Sequence, residues 1–144
     1  MASTTFSETR LGERSSASVK MGWGLSALAI LFLGMDAGAK LIVPAMMAAY
    51  TPSQLKIPSD PGFYRLLGTI LGLSTLLYAV PRTAVLGAVL LTGYLGGAIA
   101  THLLAGSPLI SNTLFGAYLG LATWAGLWLR EPRLRELLPL RRQP

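Results

Sequence analysis

Polar residues cluster at the two ends of this chain and in three short breaks. Residues 1–20, MASTTFSETRLGERSSASVK, are Ser/Thr-rich and show no apolar period, so a disordered tail is expected there. Four apolar runs follow. The first extends from about 22 to 50, with Pro44 inside it; the others are FYRLLGTILGLSTLLYAV (63–80), TAVLGAVLLTGYLGGAIATHLLA (83–105) and TLFGAYLGLATWAGLWL (113–129). A membrane-spanning helix needs about 20 mostly apolar residues, so runs two to four fit one helix each. The first run is too long for one upright span. Pro44 lacks an N–H and clashes with the carbonyl of residue 40, which predicts a kink there.

The breaks set the packing order. Val80-Pro81-Arg82 is so short that the helices on either side must be antiparallel neighbours. Residues 105–112 carry Gly and Pro punctuation. In 51–62, Thr51 reads as an N-cap, Pro52 as the first helical residue and Gln54 as the third, predicting one or two helical turns near the surface. The fold class is therefore all-α: an integral membrane four-helix bundle with short loops over 21–130, between a tail at 1–20 and a basic tail at 131–144.

Composition strengthens this picture. The chain has 144 residues, 52% hydrophobic and only 12% charged, whereas a soluble domain carries roughly a quarter charged residues. Its 16 glycines fall largely inside the apolar runs, as in membrane helices. With no Cys, disulfides, redox dithiols and thiolate metal sites are excluded; a single His excludes a multi-His metal site within one chain. The net charge of +6 is not a nucleic-acid signal, because Arg130, Arg133, Arg135, Arg141 and Arg142 follow the last run, where anionic lipid headgroups are the expected partner. Those five, with Arg10, Arg14, Lys20 and Arg82, lie on one side of a four-span topology; Lys56 and Arg65 lie on the other. Both termini are expected in the cytoplasm. Residues 1–39 also carry signal-peptide features ending at Ala37-Gly38-Ala39, but the apolar run continues through Leu41–Met47, so we expect the segment to be retained.

The stretch LLTGYLGGAIATH (90–102), with KLIVP (40–44) and LWLREPRLRELLPLRR near the C-terminus, resembles the DoxX-like family of small four-helix bacterial membrane proteins over roughly residues 22–140. The resemblance implies a multi-pass protein of the bacterial inner (cell) membrane. The family takes its name from subunits linked to quinone-coupled sulfur oxidation, and some relatives are associated with redox-stress complexes. The family pattern often places a basic residue two positions after the His and a second His near 112. Leu104 and Asn112 stand at those places here, so no metal site is expected.

Helical rise places the ionisable groups. Asp36 lies ~24 Å along the helix from Lys20 and Lys40 ~30 Å, while His102 lies ~30 Å from Arg82. The three thus share one depth in the outer half, where Ser111 and Asn112 open the last helix. Asp36 and Lys40, spaced i,i+4, face the same way and are expected to pair. Two readings compete: a polar pocket built by Asp36, Lys40, His102, Tyr94 and Asn112, or a self-satisfied pair and a His at the helix end. Convergence of two helices at one level favours the pocket. Gly93/Gly97 and Gly34/Gly38, at four-residue spacing, are expected to let helices approach closely. Trp23, Trp124 and Trp128 read as interface anchors.

No catalytic constellation appears. The expected function is a non-catalytic accessory subunit that binds a quinone or lipid-like ligand in a membrane redox complex. It has no intrinsic cofactor, and a partner protein would supply any metal or thiol. The alternatives are a small-solute or proton-coupled carrier, or a structural scaffold.

Overall fold

A computed structural model describes the backbone of residues 2–137 and the side chains of 16–135. It is all-α, with six α-helices: α1 (Ala2–Ile42), α2 (Pro44–Tyr50), α3 (Pro61–Ala79), α4 (Ala84–Leu104), α5 (Phe115–Arg130) and α6 (Pro132–Leu137). A 3-10 turn spans Ser53–Leu55 and a π-helical turn spans Leu109–Thr113. α3, α4 and α5 follow the second, third and fourth apolar runs closely.

Three local expectations change. Residues 2–20, expected as a disordered tail, continue α1. They contain no Pro, and extending an existing helix costs far less than starting one. The first run does not merely kink but divides at Val43, whose φ of −124° and ψ of 51° leave the helical region. Thr51 does not cap the following turn; Pro52 holds that position without a side-chain bond. Thr51 Oγ1 instead donates to the Met47 carbonyl at 2.8 Å and accepts from Tyr64 Oη at 2.6 Å, tying the end of α2 to α3. The cap that does form is Asp60, which accepts from the Phe63 amide at 3.0 Å ahead of Pro61. Of the expected basic tail, 138–144 lies outside the described residues.

The four long helices pack side by side: α1 on α3 and α5, and α4 on α3 and α5. Their contacts make neighbours antiparallel. Ser26 meets Tyr78 while Ala37 meets Gly68, and Gly22 meets Gly126 while Phe32 meets Phe115. One end is packed tightly. On α1 the buried positions Gly22, Ser26, Ala29, Leu33 and Ala37 recur every three or four residues and are mostly small. A Cβ on Gly22 would stand 2.7 Å from the Arg130 nitrogen, and one on Gly126 2.7 Å from Ser26 Oγ. A Cβ on Gly87 would stand 2.2 Å from the Tyr78 nitrogen. Backbones therefore touch where α3 turns into α4 and where α1 crosses α5.

Tyr78 holds this end together. It is fully buried, its hydroxyl donates to the Thr123 carbonyl at 2.8 Å, and it shares a 2.9 Å hydrogen bond with Ser26 Oγ. One side chain thereby links α3, α1 and α5. Arg130 lies between two rings, with its guanidinium 4.4 Å from Trp23 and 5.0 Å from Tyr78, and its Nη2 donates to the Tyr78 carbonyl. Arg135 donates to the carbonyls of Trp128 and Leu129. Arg130 and Arg135, expected among the lipid-facing arginines, thus donate to carbonyls of the protein itself; Arg141 and Arg142 lie outside the described residues.

The glycine expectation needs correction. A Cβ on Gly34, Gly38, Gly93 or Gly97 would meet nothing within 4 Å, so these four do not mediate close approach. Gly22, Gly68, Gly87, Gly116 and Gly126 do. Four-residue spacing cannot distinguish them, because it sets a shared face but not the direction that face points.

The exterior is apolar on every long helix: Leu28, Leu31 and Met35 on α1, Leu66, Leu73 and Leu76 on α3, Leu86 and Val89 on α4, and Leu121 on α5 are all exposed. Two helical stretches, Ser16–Ile42 and Ala84–Leu104, are long and apolar enough to cross a membrane. α5 has 16 residues, ~24 Å of rise, and depends on the preceding π-helical turn for reach.

Gly87→Ala should lower the thermal midpoint in detergent micelles, since overpacking of this kind costs about 1–3 kcal/mol. Gly34→Ala and Gly38→Ala should leave it unchanged or raise it slightly, because alanine favours helix and meets open space. Circular dichroism melts of the three variants check the contrast.

Candidate functional site

Away from the tight end the helices separate around a cavity of about 830 Å³. Its floor and inner walls are apolar, with Leu33, Leu67, Ile70, Leu95, Ile99 and Leu119 among the lining residues. Below it, Leu71 and Leu91 fill the core completely. Asp36, Lys40, Tyr94, His102 and Asn112 all line this one chamber. The five residues singled out from sequence are thus brought to a common space by α1, α4 and the π-helical turn.

Each polar group has a local reason for its position. Asp36 and Lys40 form a direct ion pair along α1, with side-chain exposures of 34% and 13% respectively. The pair flanks Ala37, whose carbonyl would lie 3.1 Å from a Cβ on Gly68 of α3. That close seam fixes the rotation of α1 and so turns the pair toward the chamber. Pro44 ends the hydrogen-bond ladder four residues beyond Lys40, where α1 gives way to α2.

His102 is placed by the way α4 stops. The Ser107 amide donates to the His102 carbonyl at 3.0 Å and the Gly106 amide to the Leu103 carbonyl at 3.1 Å. This pair of bonds is the Schellman stop, and it needs a left-handed residue, which Gly106 supplies with φ of 65°. The stop folds Ser107 back onto His102, whose Nδ1 lies 3.1 Å from Ser107 Oγ. With Nδ1 engaged, Nε2 is the ring nitrogen left for a ligand. Ser107 is not among the residues lining the chamber. A serine–histidine pair is therefore present, with its serine outside the lining of the chamber.

Asn112 belongs to the π-helical turn, and its Oδ1 accepts from Ser111 Oγ at 2.7 Å. Its amide nitrogen remains available as a donor. Among the described residues no group of three His, Cys, Asp or Glu is placed to hold a metal ion.

Sequence reasoning missed the roof. Met47 and Tyr50 from α2, then Thr51, Pro52, Leu55 and Ile57, lie along the outer rim of the chamber. The Thr51–Tyr64 hydrogen bond and a contact between the 3-10 turn and α4 hold this segment across the end. The signal was available in outline: Pro44, Pro52 and Pro58 punctuate a stretch that cannot continue as one helix. What the sequence could not give is the direction in which the broken segment folds.

A family model described as the DoxX-like family matches residues 24–126. No curated protein matches the chain. No solved structure matches it either.

Lys40→Met should destabilise the protein by about 1–3 kcal/mol, because it leaves a partly buried carboxylate without its partner. The double variant Asp36→Asn, Lys40→Met should recover most of that loss. A double-mutant cycle on detergent-phase unfolding measures the coupling, and an additive result would show that the pair contributes nothing.

Proposed function

The chain belongs to the DoxX-like family, and from that membership we propose that it is a ligand-binding, non-catalytic accessory subunit of a membrane redox complex. In this reading it is a four-helix bundle of the bacterial inner membrane, crossing it several times, with 21–130 as the membrane domain and both ends cytoplasmic. Its ligand is a quinone or a lipid-like molecule with an uncharged polar head. A partner protein carries the redox centre, and anionic lipids meet the basic C-terminal segment.

The carrying observation is the chamber, lined mainly by apolar side chains with Asp36, Lys40, Tyr94, His102 and Asn112 among them. Its volume of about 830 Å³ is within the range that encloses a whole small molecule, about 300–1,000 Å³. Among its lining residues, Tyr94, His102 and Asn112 offer hydrogen bonds to carbonyl or hydroxyl oxygens. Asp36 and Lys40 cancel each other's charge. A site of this kind favours a neutral head such as a quinone ring over a phosphate or a carboxylate, whose charge would find no free counter-ion. Membership in the family, the two apolar helices and the apolar exterior of all four long helices support a membrane setting.

A proton-coupled carrier would need polar groups continuing to the opposite end. Leu33, Leu71 and Leu91 stand between the chamber and the buried Ser26–Tyr78 hydrogen bond at that end, and the hydroxyls of Ser74, Thr75 and Thr123 bond back to their own helices. Binding therefore fits better than transport.

Protein purified with its native lipids should retain a quinone or another neutral-headed lipid, identified by mass spectrometry. His102→Ala and Asp36→Asn should each reduce that retention, while Thr69→Ala should not; retention equal in all variants, or none in the native protein, would end this reading. A reporter enzyme active only outside the cytoplasm should be silent when fused after residue 144 and active when inserted at residues 57–59.

A further inference from the structure

The ligand's route into the chamber can be read from which of its sides are closed. The inference rests on the ligand-binding reading above. Three of the four seams between long helices are sealed at the chamber's level. On the α1/α3 seam, a Cβ added to Gly68 would stand 2.9 Å from Lys40 Cβ. On the α4/α5 seam, one added to Gly116 would stand 3.0 Å from Ile99. On the α1/α5 seam, the rings of Phe32 and Phe115 meet edge-on with centroids 5.2 Å apart. The outer end is crossed by the roof, whose Pro52 and Leu55 line the chamber beneath it.

The α3/α4 seam differs. These helices are tied at the 80–82 turn, where Tyr78 and Gly87 touch, and α4 is held at its far end against α5 instead. Ile70 on α3 lines the chamber and is also 45% exposed on the outer surface. On α4, Gly93 and Gly97 likewise line the chamber, are exposed, and have open space where a side chain would stand. Residues that belong both to the cavity wall and to the protein exterior mark where the two surfaces join; Phe32, Phe115 and Tyr50 do so as bulky rings, whereas Gly93 and Gly97 put no side chain there. Glycine at both α4 positions keeps that junction open, on a helix face that would otherwise carry side chains across it.

We propose that the gap between α3 and α4, bordered by Ile70, Gly93 and Gly97, is a lateral portal through which a lipid-dissolved ligand enters from the bilayer. Its polar head moves inward to His102, Tyr94 and the Asp36–Lys40 pair. Its apolar tail lies in the gap between Ile70 and the two glycines and extends into the acyl region. The ligand class is a neutral-headed amphiphile with a long apolar chain, and a water-soluble molecule without a tail is not the expected occupant. Gly93 and Gly97, originally expected as packing residues, are then retained as the open side of the portal.

The test uses the full chain in phosphatidylcholine nanodiscs with a benzoquinone probe bearing a photoactivatable diazirine in a long alkyl tail. After illumination, peptides containing Ile70 and residues 93–97 should carry the label. Gly97→Phe should reduce probe retention about tenfold, because its ring would stand in the gap that the tail occupies. Gly96→Phe, at an exposed neighbour that does not line the chamber, should leave retention unchanged and shows that a bulky residue on α4 is tolerated. Gly93→Phe provides a second obstruction should Gly97→Phe fail to fold. Retention undiminished in both obstructed variants, with label on the 51–57 segment, would overturn the portal while leaving the ligand reading intact. A native chain that retains no probe would overturn both.

Discussion

The contact between Tyr78 and Gly87 governs the rest of the molecule. The turn at 80–82 allows no separation between α3 and α4, and only a residue without a side chain fits at 87. With backbones in contact there, and again at Gly22 and Gly126, one end of the packed helices is pinned. Toward the other end Gly68 still holds α1 against α3 and Gly116 holds α4 against α5, so the helices part between α3 and α4. The chamber is the consequence of that divergence, and Leu33, Leu71 and Leu91 occupy the zone where the spacing changes.

Burying polar groups in such a protein requires that each be answered internally, because hydrocarbon offers no hydrogen bonds. Most hydroxyls solve this locally: Thr69, Ser74, Thr75, Thr92, Thr101 and Thr123 each donate to the carbonyl four residues earlier. Tyr78 and Ser26 reach across helices instead, at the pinned end, where position is fixed well enough for such bonds to hold. Asp36 and Lys40 answer each other at the chamber. Beside the cavity, the ring of His102 and the amide of Asn112 keep spare capacity; at the pinned end, Arg130 Nε and Nη1 are buried without a hydrogen-bond partner and lie against the faces of Trp23 and Tyr78.

Much of this was legible from residue order. The apolar runs located four long helices because their length exceeds what any short break can disguise. Asp36, Lys40 and His102 were placed at one depth by counting rise from the nearest polar ends, and they do line one cavity. Rotation was not legible. Gly34 and Gly38 have the same spacing on α1 as Gly68 and Gly72 have on α3, yet only the α3 pair faces another helix, and hydrophobic contrast between faces is too weak to tell them apart when both lipid and core are apolar. The extent of α1 was misjudged for a related reason: a Ser/Thr-rich stretch is a poor helix by itself, but it follows without a break from a long one. Arg130 escaped notice as a structural residue because its partners, Trp23 and Tyr78, are far away in sequence.

The setting also changes what the chamber's apolar walls can contribute. In a soluble protein, burying a ligand's tail removes it from water and supplies most of the affinity. A tail arriving from a bilayer is already in hydrocarbon, so leaving lipid for Leu67 and Ile70 gains little beyond packing. On the proposed ligand-binding reading, the walls therefore select by shape, and the free energy of binding comes from the polar lining residues. One hydrogen bond there contributes about 0.5–1.5 kcal/mol, so even three such bonds give modest affinity. Under the proposed reading that suffices for a ligand concentrated in the membrane, where a short path from lipid to the polar groups matters more than tight binding. It also explains why the charged groups are paired rather than free: an unpaired charge at this level would attract the wrong head group and would cost several times what one hydrogen bond returns.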